Sequence, residues 1–478
     1  MACEKIKPCD TITDMAFIEK SMFREYDLRG RESDQELNES SMYFIGKAYG
    51  AFLHKRGVFE VVIGHDNRAT SVAFYKAAIK GLIESGCKIY EARTILTPML
   101  YWAQYYFKTK GGMMVTASHN PAGWNGVKLA LGYSYTIIGK ELEEIYNTII
   151  SENFVENAGG EIVKKEDISR PYIDDLLGRV KIKRPFKVVV NTGNGTAGLI
   201  APEILRKAGC EVIEHLTNLD PSYPNYTPNP AEVEMMEDTG KIVRESGADF
   251  GFAIDGDGDR LGLVDEKGET IWPDRYLILL SRLILKKKPG AKIIFDVKVS
   301  EALPEDIKAH GGVPIMCKTG HSYIKEKLHS EGAALAGEMS GHVFFVENYY
   351  GFDDAIFTAL NLLEYFSTQN KRVSELVSGT PYYVSSPTLQ AECPDNKKYE
   401  VVSELTEEFR KEGYKLIDIN GARVYFENGW GLVRASSNVP ALVLRFESKT
   451  QEGLDAIEKI FREKLARYDF VGKDWKSG

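Results

Sequence analysis

The most restrictive feature of this chain is a strand, loop and helix pattern that occurs three times before residue 381. Each copy has a run rich in β-branched residues, a polar loop and a helical pattern, in the segments FEVVIGHDNRAT, KVVVNTGNGTAG and AKIIFDVKVS. A second strand follows each copy, as CKIYEA, CEVIEHL and VPIMCK. Alternating strands and helices are typical of mainly parallel sheets. The pattern predicts three mixed α/β sandwich domains of similar topology, with one larger α/β domain carrying insertions as the alternative.

The pattern changes after about residue 367, where a polar connection contains Gly379 and Pro381. Beyond it the sequence predicts a helix from Val401 to Glu412, strands in the runs ARVYFE, GLVRAS and PALVLRF, and an amphipathic helix from Gln451 to Tyr468. This order is typical of an α+β domain with an antiparallel sheet. We therefore expect four domains, over residues 1–168, 169–269, 270–380 and 381–478.

Composition narrows the possible partners. The formal net charge of −9 argues against nucleic acid, because a surface that follows phosphates needs a clustered cationic excess. No apolar run approaches the ~18 to 20 residues that span a bilayer, and the start lacks an apolar signal region, so we expect no membrane partner and a cytoplasmic location. The six cysteines form no CxxC pair, which favours reduced thiols and argues against zinc.

The first chemical motif is TASHNP, from Thr116 to Pro121, between the apolar run GGMMV and the run WNGVKLAL. This position puts the Ser118 hydroxyl at the end of a strand. Pro121 blocks helix continuation, so we expect the backbone to stay open and the hydroxyl to be presented rather than packed. The alternative is a turn with no chemical role.

The second motif is DGDGDR, from Asp255 to Arg260, which follows the apolar strand DFGFAI. Its carboxylates alternate with glycines, so the loop can curl until their oxygens converge. Like charges at such distances are costly unless a cation lies between them, and an all-oxygen set suits magnesium or calcium. Magnesium commonly completes its octahedron with water and phosphate oxygens, and a phosphorylated Ser118 could supply one.

An EF-hand calcium loop is an alternative for this segment. Asp255, Asp257, Asp259 and Glu266 fall at its positions 1, 3, 5 and 12. However, Arg260 stands where that loop turns on glycine, and the flanking residues are those of strands rather than helices. The sequence therefore favours magnesium over a calcium sensor.

The third motif is GEMSGH, in which Glu338 and Ser340 are two residues apart. On an extended segment such residues point the same way, so both could reach adjacent hydroxyls of a sugar. The alternative is a glycine-bounded bulge with a solvated glutamate.

The fourth motif is RASSNVP, from Arg434 to Pro440, with Arg445 further on. A guanidinium followed by three hydrogen-bonding side chains and their amides can cradle a tetrahedral oxyanion. The alternative is an ordinary polar turn between strands. We favour the cradle, because a protein with a net charge of −9 needs concentrated donors to bind phosphate.

These four motifs, in this order, resemble the α-D-phosphohexomutase superfamily, and more closely its bacterial phosphomannomutase/phosphoglucomutase branch. Three further segments match it: FREYDLRG from Phe23, NYTPNP from Asn225 and KTGHSYIK from Lys318. The resemblance covers essentially the whole chain and implies a heart-shaped arrangement of four domains.

The resemblance also implies roles for individual residues. Ser118 carries the phosphoryl group and ligates the metal together with Asp255, Asp257 and Asp259. The sugar-binding pair is Glu338 and Ser340, and the non-reacting phosphate is held by Arg434, Ser436, Ser437 and Asn438. Further catalytic positions are Arg29, His119, Lys128, Arg260 and His342, and further substrate-binding positions are Tyr26, Lys298 and His321.

His342 is our candidate general base because an imidazole titrates near neutral pH. Lys128 and Arg29 are rivals for this role, and a purely structural histidine is the alternative. The sequence departs from the family at Tyr226 and Thr227, where histidines are common, and at His65 in the GRDxR motif. None of these positions belongs to the expected chemistry.

The implied activity is reversible phosphoryl transfer between C1 and C6 of glucose and mannose phosphates, through phosphoserine and a 1,6-bisphosphate. Mg²⁺ is the expected cofactor, and glucose or mannose 1,6-bisphosphate is the expected activator. Hexose phosphates are the expected partners, and we expect the protein to be a monomer or a weak homo-oligomer. The alternatives are a phosphoglucosamine or phosphopentose mutase, a metal-dependent phosphatase and a sugar-phosphate-binding protein without turnover.

Overall fold

A computed structural model describes residues 18–437 and 439–477 of the chain. It contains four sheets, three of them mixed and the fourth antiparallel. The expected fold class, three α/β domains followed by an α+β domain, is therefore confirmed.

The first two domains consist of the following elements. The first contains β1 (Leu28–Arg31), α1 (Glu39–His54), β2 (Glu60–His65), α2 (Ser71–Glu84), β3 (Lys88–Thr94), α3 (Thr97–Phe107), β4 (Gly111–Val115), β5 (Trp124–Leu131), α4 (Lys140–Ile150) and β6 (Glu161–Lys165). The second contains α5 (Ser169–Gly178), β7 (Lys187–Asn191), α6 (Ala201–Lys207), β8 (Glu211–His215), α7 (Val233–Ser246), β9 (Phe250–Ile254), β10 (Leu261–Val264) and β11 (Thr270–Ile271).

The last two domains follow in the same way. The third contains α8 (Pro273–Lys287), β12 (Lys292–Asp296), α9 (Ala302–Ala309), β13 (Val313–Cys317), α10 (His321–Glu331), β14 (Leu335–Gly337), β15 (Val343–Phe345), α11 (Ala355–Ser367) and α12 (Val373–Ser378). The fourth contains β16 (Val384–Ser385), β17 (Leu389–Glu392), α13 (Lys398–Lys411), β18 (Lys415–Ile417), β19 (Ala422–Phe426), β20 (Gly429–Ala435), β21 (Ala441–Ser448), α14 (Gln451–Leu465) and β22 (Lys476–Ser477).

The first three sheets share one topology. The strand orders β3-β2-β4-β5, β8-β7-β9-β10 and β13-β12-β14-β15 correspond strand for strand. In each, the first three strands are parallel and the fourth is antiparallel to the third. The similar topology expected from the sequence is thus present.

This repetition places the chemical motifs. The Ser118 motif joins β4 to β5, the Asp255 motif joins β9 to β10, and the Glu338 motif joins β14 to β15. All three therefore occupy the same turn of the repeated unit, at the carboxyl end of a parallel strand, where binding loops of α/β sheets usually lie. The Arg434 motif joins β20 to β21 in the fourth domain.

The hydrophobic core explains how these loops are held together. One continuous apolar cluster runs from α3 through the second sheet to α8 and α11, so the first three domains pack against one another. The fourth domain has a separate core, which includes Val433, Leu444 and Phe461. A small cluster of Val297, Trp430 and Leu432 connects it to the third domain.

Several local details differ from the sequence analysis. The helix expected from Val401 to Glu412 begins three residues earlier, at Lys398, and α14 ends at Leu465 rather than Tyr468. Apolar residues at helical spacing mark the buried face but not the helix ends, which depend on capping. Within the ranges that the structure describes, each helix is too short or too polar to cross a lipid bilayer.

Candidate active site

Ser118 lies directly beyond β4 with a left-handed backbone, at φ +48°, which is uncommon for a residue other than glycine. Its side chain is buried, and its Oγ donates to Asp255 Oδ2 at 2.8 Å and lies 3.1 Å from His119 Nδ1. The hydroxyl is therefore packed rather than presented, contrary to our expectation. The sequence of this loop alone could not show that the Asp255 loop covers it.

Arg68 fixes this unusual backbone. Its guanidinium donates to the carbonyl oxygens of Ser118 at 2.7 Å and of Pro121 and Trp124 at 2.9 Å each, and also to that of Asn120. Arg68 is the last residue of the GRDxR-like segment that contains His65, and the sequence pattern assigns it no role. The signal available was an arginine just after a parallel strand, at the same sheet edge as Ser118.

Arg29 supports the same loop from β1. Its Nη1 donates to Asn120 Oδ1 at 2.6 Å and to the Ala117 carbonyl oxygen, and its Nε donates to Asp27 at 2.8 Å. The pKa of Arg29 is raised, because Asp27 and Asp257 outweigh the effect of burial. Arg29 therefore stays cationic, which argues against it as a general base.

The Asp255 loop curls around its own first carboxylate. Asp255 Oδ1 accepts from the backbone N–H groups of Gly258, Asp259 and Arg260 at 3.0 to 3.1 Å. Its Oδ2 takes the Ser118 hydroxyl. The loop expected from the alternating glycines is therefore closed by hydrogen bonds, and it brings ligand oxygens of Asp255, Asp257 and Asp259 within 4.8 Å of one another.

The first domain anchors this loop through two side chains. Thr97 at the start of α3 donates to Asp257 Oδ2 at 2.6 Å, and Lys128 from β5 lies 2.7 Å from Asp257 Oδ2 and 2.5 Å from Asp259 Oδ2. Thr97 was not among the expected site residues, because no sequence pattern links it to a loop more than 150 residues away. The fold therefore brings Lys128, a catalytic candidate, against the carboxylates of Asp257 and Asp259.

The electrostatics of this loop favour a cation. Burial and the neighbouring carboxylates of Asp259 and Asp257 raise the pKa of Asp255 well above its usual range. The pKa of Lys128 is also raised, because Asp257 and Asp259 outweigh the burial that would lower it. Among the residues that the structure describes, no hydrogen-bond donor reaches the buried Oδ1 atoms of Asp257 and Asp259. A hard divalent cation fits such an orphaned all-oxygen set.

The Glu338 motif is a turn, so the expectation of an extended segment was wrong. Gly341, at φ +98°, donates its N–H to the Glu338 carbonyl oxygen at 3.1 Å. The Glu338 side chain is buried and accepts from the Gly320 N–H at 2.6 Å, whereas Ser340 is half-buried. Burial raises the pKa of Glu338. Alternation predicted a shared face, but the glycine reverses the chain at this point.

His342 ends that turn and contacts the metal loop. Its Nε2 accepts from Arg260 Nε at 3.0 Å, and the Leu261 N–H donates to the Gly341 carbonyl oxygen at 3.1 Å. His321 stacks on His342 with ring centroids 5.6 Å apart. The second and third motifs are therefore joined through both backbone and side chains.

The Arg434 motif lies at the tip between β20 and β21. Arg434 and Ser436 are buried, and Ser437 Oγ lies 3.5 Å from the Tyr26 hydroxyl of the first domain. Asn438, the remaining expected phosphate ligand, lies outside the described residues. Lys298 shares this region: burial lowers its pKa, Asp296 opposes that shift, and the nearby Arg434 adds to it. Arg434 and Lys298 thus bring two cationic side chains close together, which suits an anionic ligand.

Arg445 does not join this cluster. Its buried guanidinium donates to the Lys298 carbonyl oxygen at 2.6 Å and to Asp274 at 2.9 Å, so it ties the fourth domain to the third. The sequence placed Arg445 beside the phosphate motif only because it follows on the next strand. Alternation along β21 instead directs it to the domain interface.

Comparison with known proteins matches this architecture domain by domain. Residues 20–156, 170–268 and 272–383 match the phosphoglucomutase/phosphomannomutase alpha/beta/alpha domains I, II and III. Residues 389–464 match the C-terminal domain of the same group. The matches follow the four sheets. The boundaries given above remain predictions, and β11 (Thr270–Ile271) pairs with β10 of the second sheet although it lies just past the expected boundary at residue 269.

Whole-chain relatives agree. A phosphomannomutase/phosphoglucomutase from Pseudomonas putida is 39% identical over 95% of this chain and 97% of its own. The chain belongs to the phosphoglucomutase/phosphomannomutase family. A phosphoglucomutase from Neisseria gonorrhoeae is 38% identical over 94% of this chain and 97% of its own. A crystal structure of a family protein from Burkholderia thailandensis superposes with a TM-score of 0.88 at 36% identity, covering 94% and 98% of the two chains.

This phosphoglucomutase/phosphomannomutase family site also contains buried groups that sequence analysis missed. Asp353, in the loop before α11, has its Oδ2 3.0 Å from His342 Nδ1 and 4.0 Å from His321 Nδ1. Burial lowers the pKa of Lys325 to about 8, although Asp353 opposes the shift. Because the segment GFDDAIF resembles any polar helix start, no sequence pattern distinguished Asp353 from Asp354.

His119 and His321 are both held neutral. Burial lowers the pKa of His119 well below its usual range, and Arg260 and Arg29 lower it further. Burial and the Lys325 cation act likewise on His321. His119 therefore contacts the Ser118 hydroxyl as an uncharged imidazole, which can form a hydrogen bond with it but adds no charge.

Proposed function

We propose that this chain is a phosphohexomutase that moves a phosphoryl group between C1 and C6 of a hexose phosphate by way of phosphorylated Ser118. The observation that carries this proposal is the 2.8 Å contact between Ser118 Oγ and Asp255, within a loop of three buried carboxylates. A hydroxyl beside such a set is positioned to exchange a phosphoryl group next to a metal ion. The names of the relatives support the same reaction.

We propose Mg²⁺ as the metal and Asp255, Asp257, Asp259 and the Ser118 oxygen as its protein ligands. The orphaned oxygens of Asp257 and Asp259 fit a hard cation, and the donor set contains no nitrogen or sulfur. When bound, Mg²⁺ supplies positive charge that neutralises the phosphoryl oxygens.

The surrounding cations act on the same charge. Lys128, held protonated between Asp257 and Asp259, stabilises negative charge that develops during transfer. Arg29 and Arg68 hold the Ser118 loop in its left-handed conformation, so the oxygen stays in line with the substrate. Neutral His119, whose Nδ1 lies 3.1 Å from Ser118 Oγ, can donate a hydrogen bond to that oxygen once its phosphoryl group has left.

The substrate is a hexose phosphate held at two ends. Arg434, Ser436 and Ser437, together with Asn438 and Lys298, bind the phosphate that does not react, and Glu338 and Ser340 bind sugar hydroxyls. A substrate hydroxyl then attacks phosphorus, the bond from phosphorus to Ser118 Oγ breaks, and a 1,6-bisphosphate forms. After the sugar turns end for end, the reverse transfer regenerates phosphoserine.

While His342 Nε2 accepts from Arg260 Nε, the ring positions Arg260 and cannot act as a base. The proposal that His342 accepts the proton of the attacking hydroxyl therefore applies only to a state in which Arg260 has moved away. Normal turnover in His342→Gln would dismiss this role and leave His342 as a ligand of Arg260.

Glucose and mannose differ at C2, so binding of O3 and O4 by Glu338 and Ser340 would not separate them. We therefore propose dual specificity.

All four loops of the site come from one chain, so a monomer is sufficient to form the active site. Four described cysteines, Cys87, Cys210, Cys317 and Cys393, are free and buried, which suits the reducing cytoplasm.

The test is a coupled mutase assay with Mg²⁺ and trace 1,6-bisphosphate, run on glucose 1-phosphate, mannose 1-phosphate, glucosamine 1-phosphate and ribose 1-phosphate. We expect comparable rates with the first two. A strong preference for either of the others would replace the proposed substrate, and phosphate release without isomerisation would replace the reaction with hydrolysis.

A further inference from the structure

Asp353 is a buried carboxylate that the proposed reaction does not yet use. It is fully buried, and within residues 18–437 and 439–477 neither of its oxygens makes a hydrogen bond of normal geometry. It faces three nitrogen-bearing side chains: His342, His321 and Lys325. A buried carboxylate without hydrogen bonds is energetically costly, so its presence at this site requires a physical reason.

The contact between Arg260 and His342 determines the state of the imidazole. An arginine N–H can only donate, so the 3.0 Å contact from Arg260 Nε makes His342 Nε2 the acceptor. The ring must then carry its proton on Nδ1. That atom lies 3.0 Å from Asp353 Oδ2 and 3.6 Å from Asp259 Oδ1, so it faces two acceptors.

Arg260 is left with its other nitrogens available. Its Nε is committed to His342, and no described residue accepts a hydrogen bond from its Nη atoms. The residue is half-buried and immediately follows Asp259, next to the site of phosphoryl transfer. A guanidinium held by Nε alone can present both terminal nitrogens to two oxygens of one phosphoryl group.

We propose that Asp353 is a positioning residue for phosphoryl transfer: it keeps the His342 proton on Nδ1, and His342 Nε2 in turn holds Arg260 ready for the phosphoryl oxygens. The proposal rests on the proposed function and deepens it. Carboxylates that fix the tautomer of an imidazole are a recurrent device in catalytic and metal sites. Here the device acts across a domain boundary, from the third domain to an arginine of the second.

A cation between Asp259, His342 and Asp353 is the competing explanation, since their ligand atoms lie within 4.8 Å of one another. Three side-chain cations already surround this cluster. Lys325 faces Asp353, Lys128 contacts Asp259, and Arg260 contacts His342. A metal cation would add positive charge to a cluster in which three side-chain cations already accompany two carboxylates. Control of the His342 tautomer therefore explains the geometry better.

The first test is the ring state of His342, read from long-range proton–nitrogen NMR spectra of the full-length protein labelled with ¹⁵N-histidine. His342→Gln identifies the resonances by their loss. We expect a neutral ring with its proton on Nδ1. A proton on Nε2, or a doubly protonated ring, would overturn the proposal without any Asp353 variant.

The second test is Asp353→Asn, whose amide can donate to Nδ1 and move the proton to Nε2, where it opposes Arg260. We expect the His342 spectrum to change to the Nε2–H form and kcat to fall roughly 10- to 100-fold, with the KM for hexose phosphate within about twofold. Asp353→Glu, which keeps the charge, should restore part of kcat. An unchanged spectrum or unchanged kcat would refute the proposal.

Asp354→Asn is the matched control. Asp354 is equally buried but accepts from the Tyr172 and Tyr349 hydroxyls rather than facing His342, so its variant should keep the Nδ1–H signal. Because Asp353 acts through Arg260, the kcat loss in Asp353→Asn with Arg260→Met should be no greater than in Arg260→Met alone. If the kcat losses of the two single variants multiplied in the double variant, Asp353 would not act through Arg260 and the proposal would be wrong. If Ser118→Ala stayed active, the proposed function would fail while the tautomer result stood.

Discussion

Replacing Gly256 with alanine tests how tightly the metal loop is fitted against the phosphoryl carrier. A Cβ built on Gly256 would lie 2.5 Å from the Ser118 carbonyl oxygen. Ordinary van der Waals contact begins at 3.4 Å, so the two backbones would have to separate by about 0.9 Å. Neither can yield easily: Arg68 holds the Ser118 carbonyl at 2.7 Å, and the Gly256 carbonyl oxygen accepts from Thr196 at 2.9 Å.

The size of the effect follows from that displacement. A shift of about 1 Å between reacting groups can cost on the order of 100-fold in rate. We therefore expect Gly256→Ala to lower kcat by about 100-fold, with a loss in the free energy of unfolding of about 1 to 3 kcal/mol from overpacking. The KM for hexose phosphate should change little, because the sugar and phosphate loops are untouched.

The assay is steady-state kinetics in the coupled mutase system, with urea unfolding as the measure of stability. Gly178→Ala is the control: Gly178 ends α5 without a positive φ, and its added Cβ meets nothing within 4 Å. It should retain activity and gain up to about 1 kcal/mol. Wild-type kcat in Gly256→Ala would refute the argument that the close approach sets the position of Ser118.

Three further predictions follow from buried charges. Lys128→Met leaves two buried carboxylates without their cation, so it should lower the free energy of unfolding by about 3 to 5 kcal/mol, and Mg²⁺ should restore part of this loss. Lys464 bridges two more exposed glutamates, so Lys464→Met should cost under about 1 kcal/mol. Equal losses for the two variants in urea titrations would contradict this prediction. Arg68→Lys keeps the charge but cannot reach all four carbonyls, so kcat should fall at least about tenfold; unchanged kcat would show that the loop holds itself. Burial raises the pKa of Asp354 to about 6, so its stabilising effect is present below about pH 4 and is lost as pH rises through 6; Asp354→Asn should remove that part of the pH dependence in urea titrations, and an unaltered profile would count against it.

Periodicity and loop chemistry predicted much of this fold from sequence. The runs FEVVIG, KVVVN and AKIIF fall on β2, β7 and β12, the central strands of three equivalent sheets. The alternation of Asp255, Asp257 and Asp259 with glycine anticipated a curled acidic loop, because those residues are adjacent in the chain. A cluster of this kind can be predicted from sequence because its interacting residues lie close together in the chain.

What the sequence could not supply are partners that only folding brings together. Arg68 and Thr97 reach the site from other elements, and neither lies in a motif whose spacing points to its target. The same limit made us expect an exposed Ser118 and an extended Glu338 segment. Burial of Ser118 depends on a loop more than 130 residues away, and the turn at Glu338 depends on a single positive φ at Gly341.

The most direct test of the account is where the phosphoryl group resides. Intact-mass and peptide spectra should be recorded after incubating the protein with Mg²⁺ and glucose 1,6-bisphosphate. We expect one phosphoryl group on the peptide that contains Ser118, and neither phosphorylation nor mutase turnover in Ser118→Ala. A phosphoryl group found on another residue, or wild-type turnover in Ser118→Ala, would contradict the account.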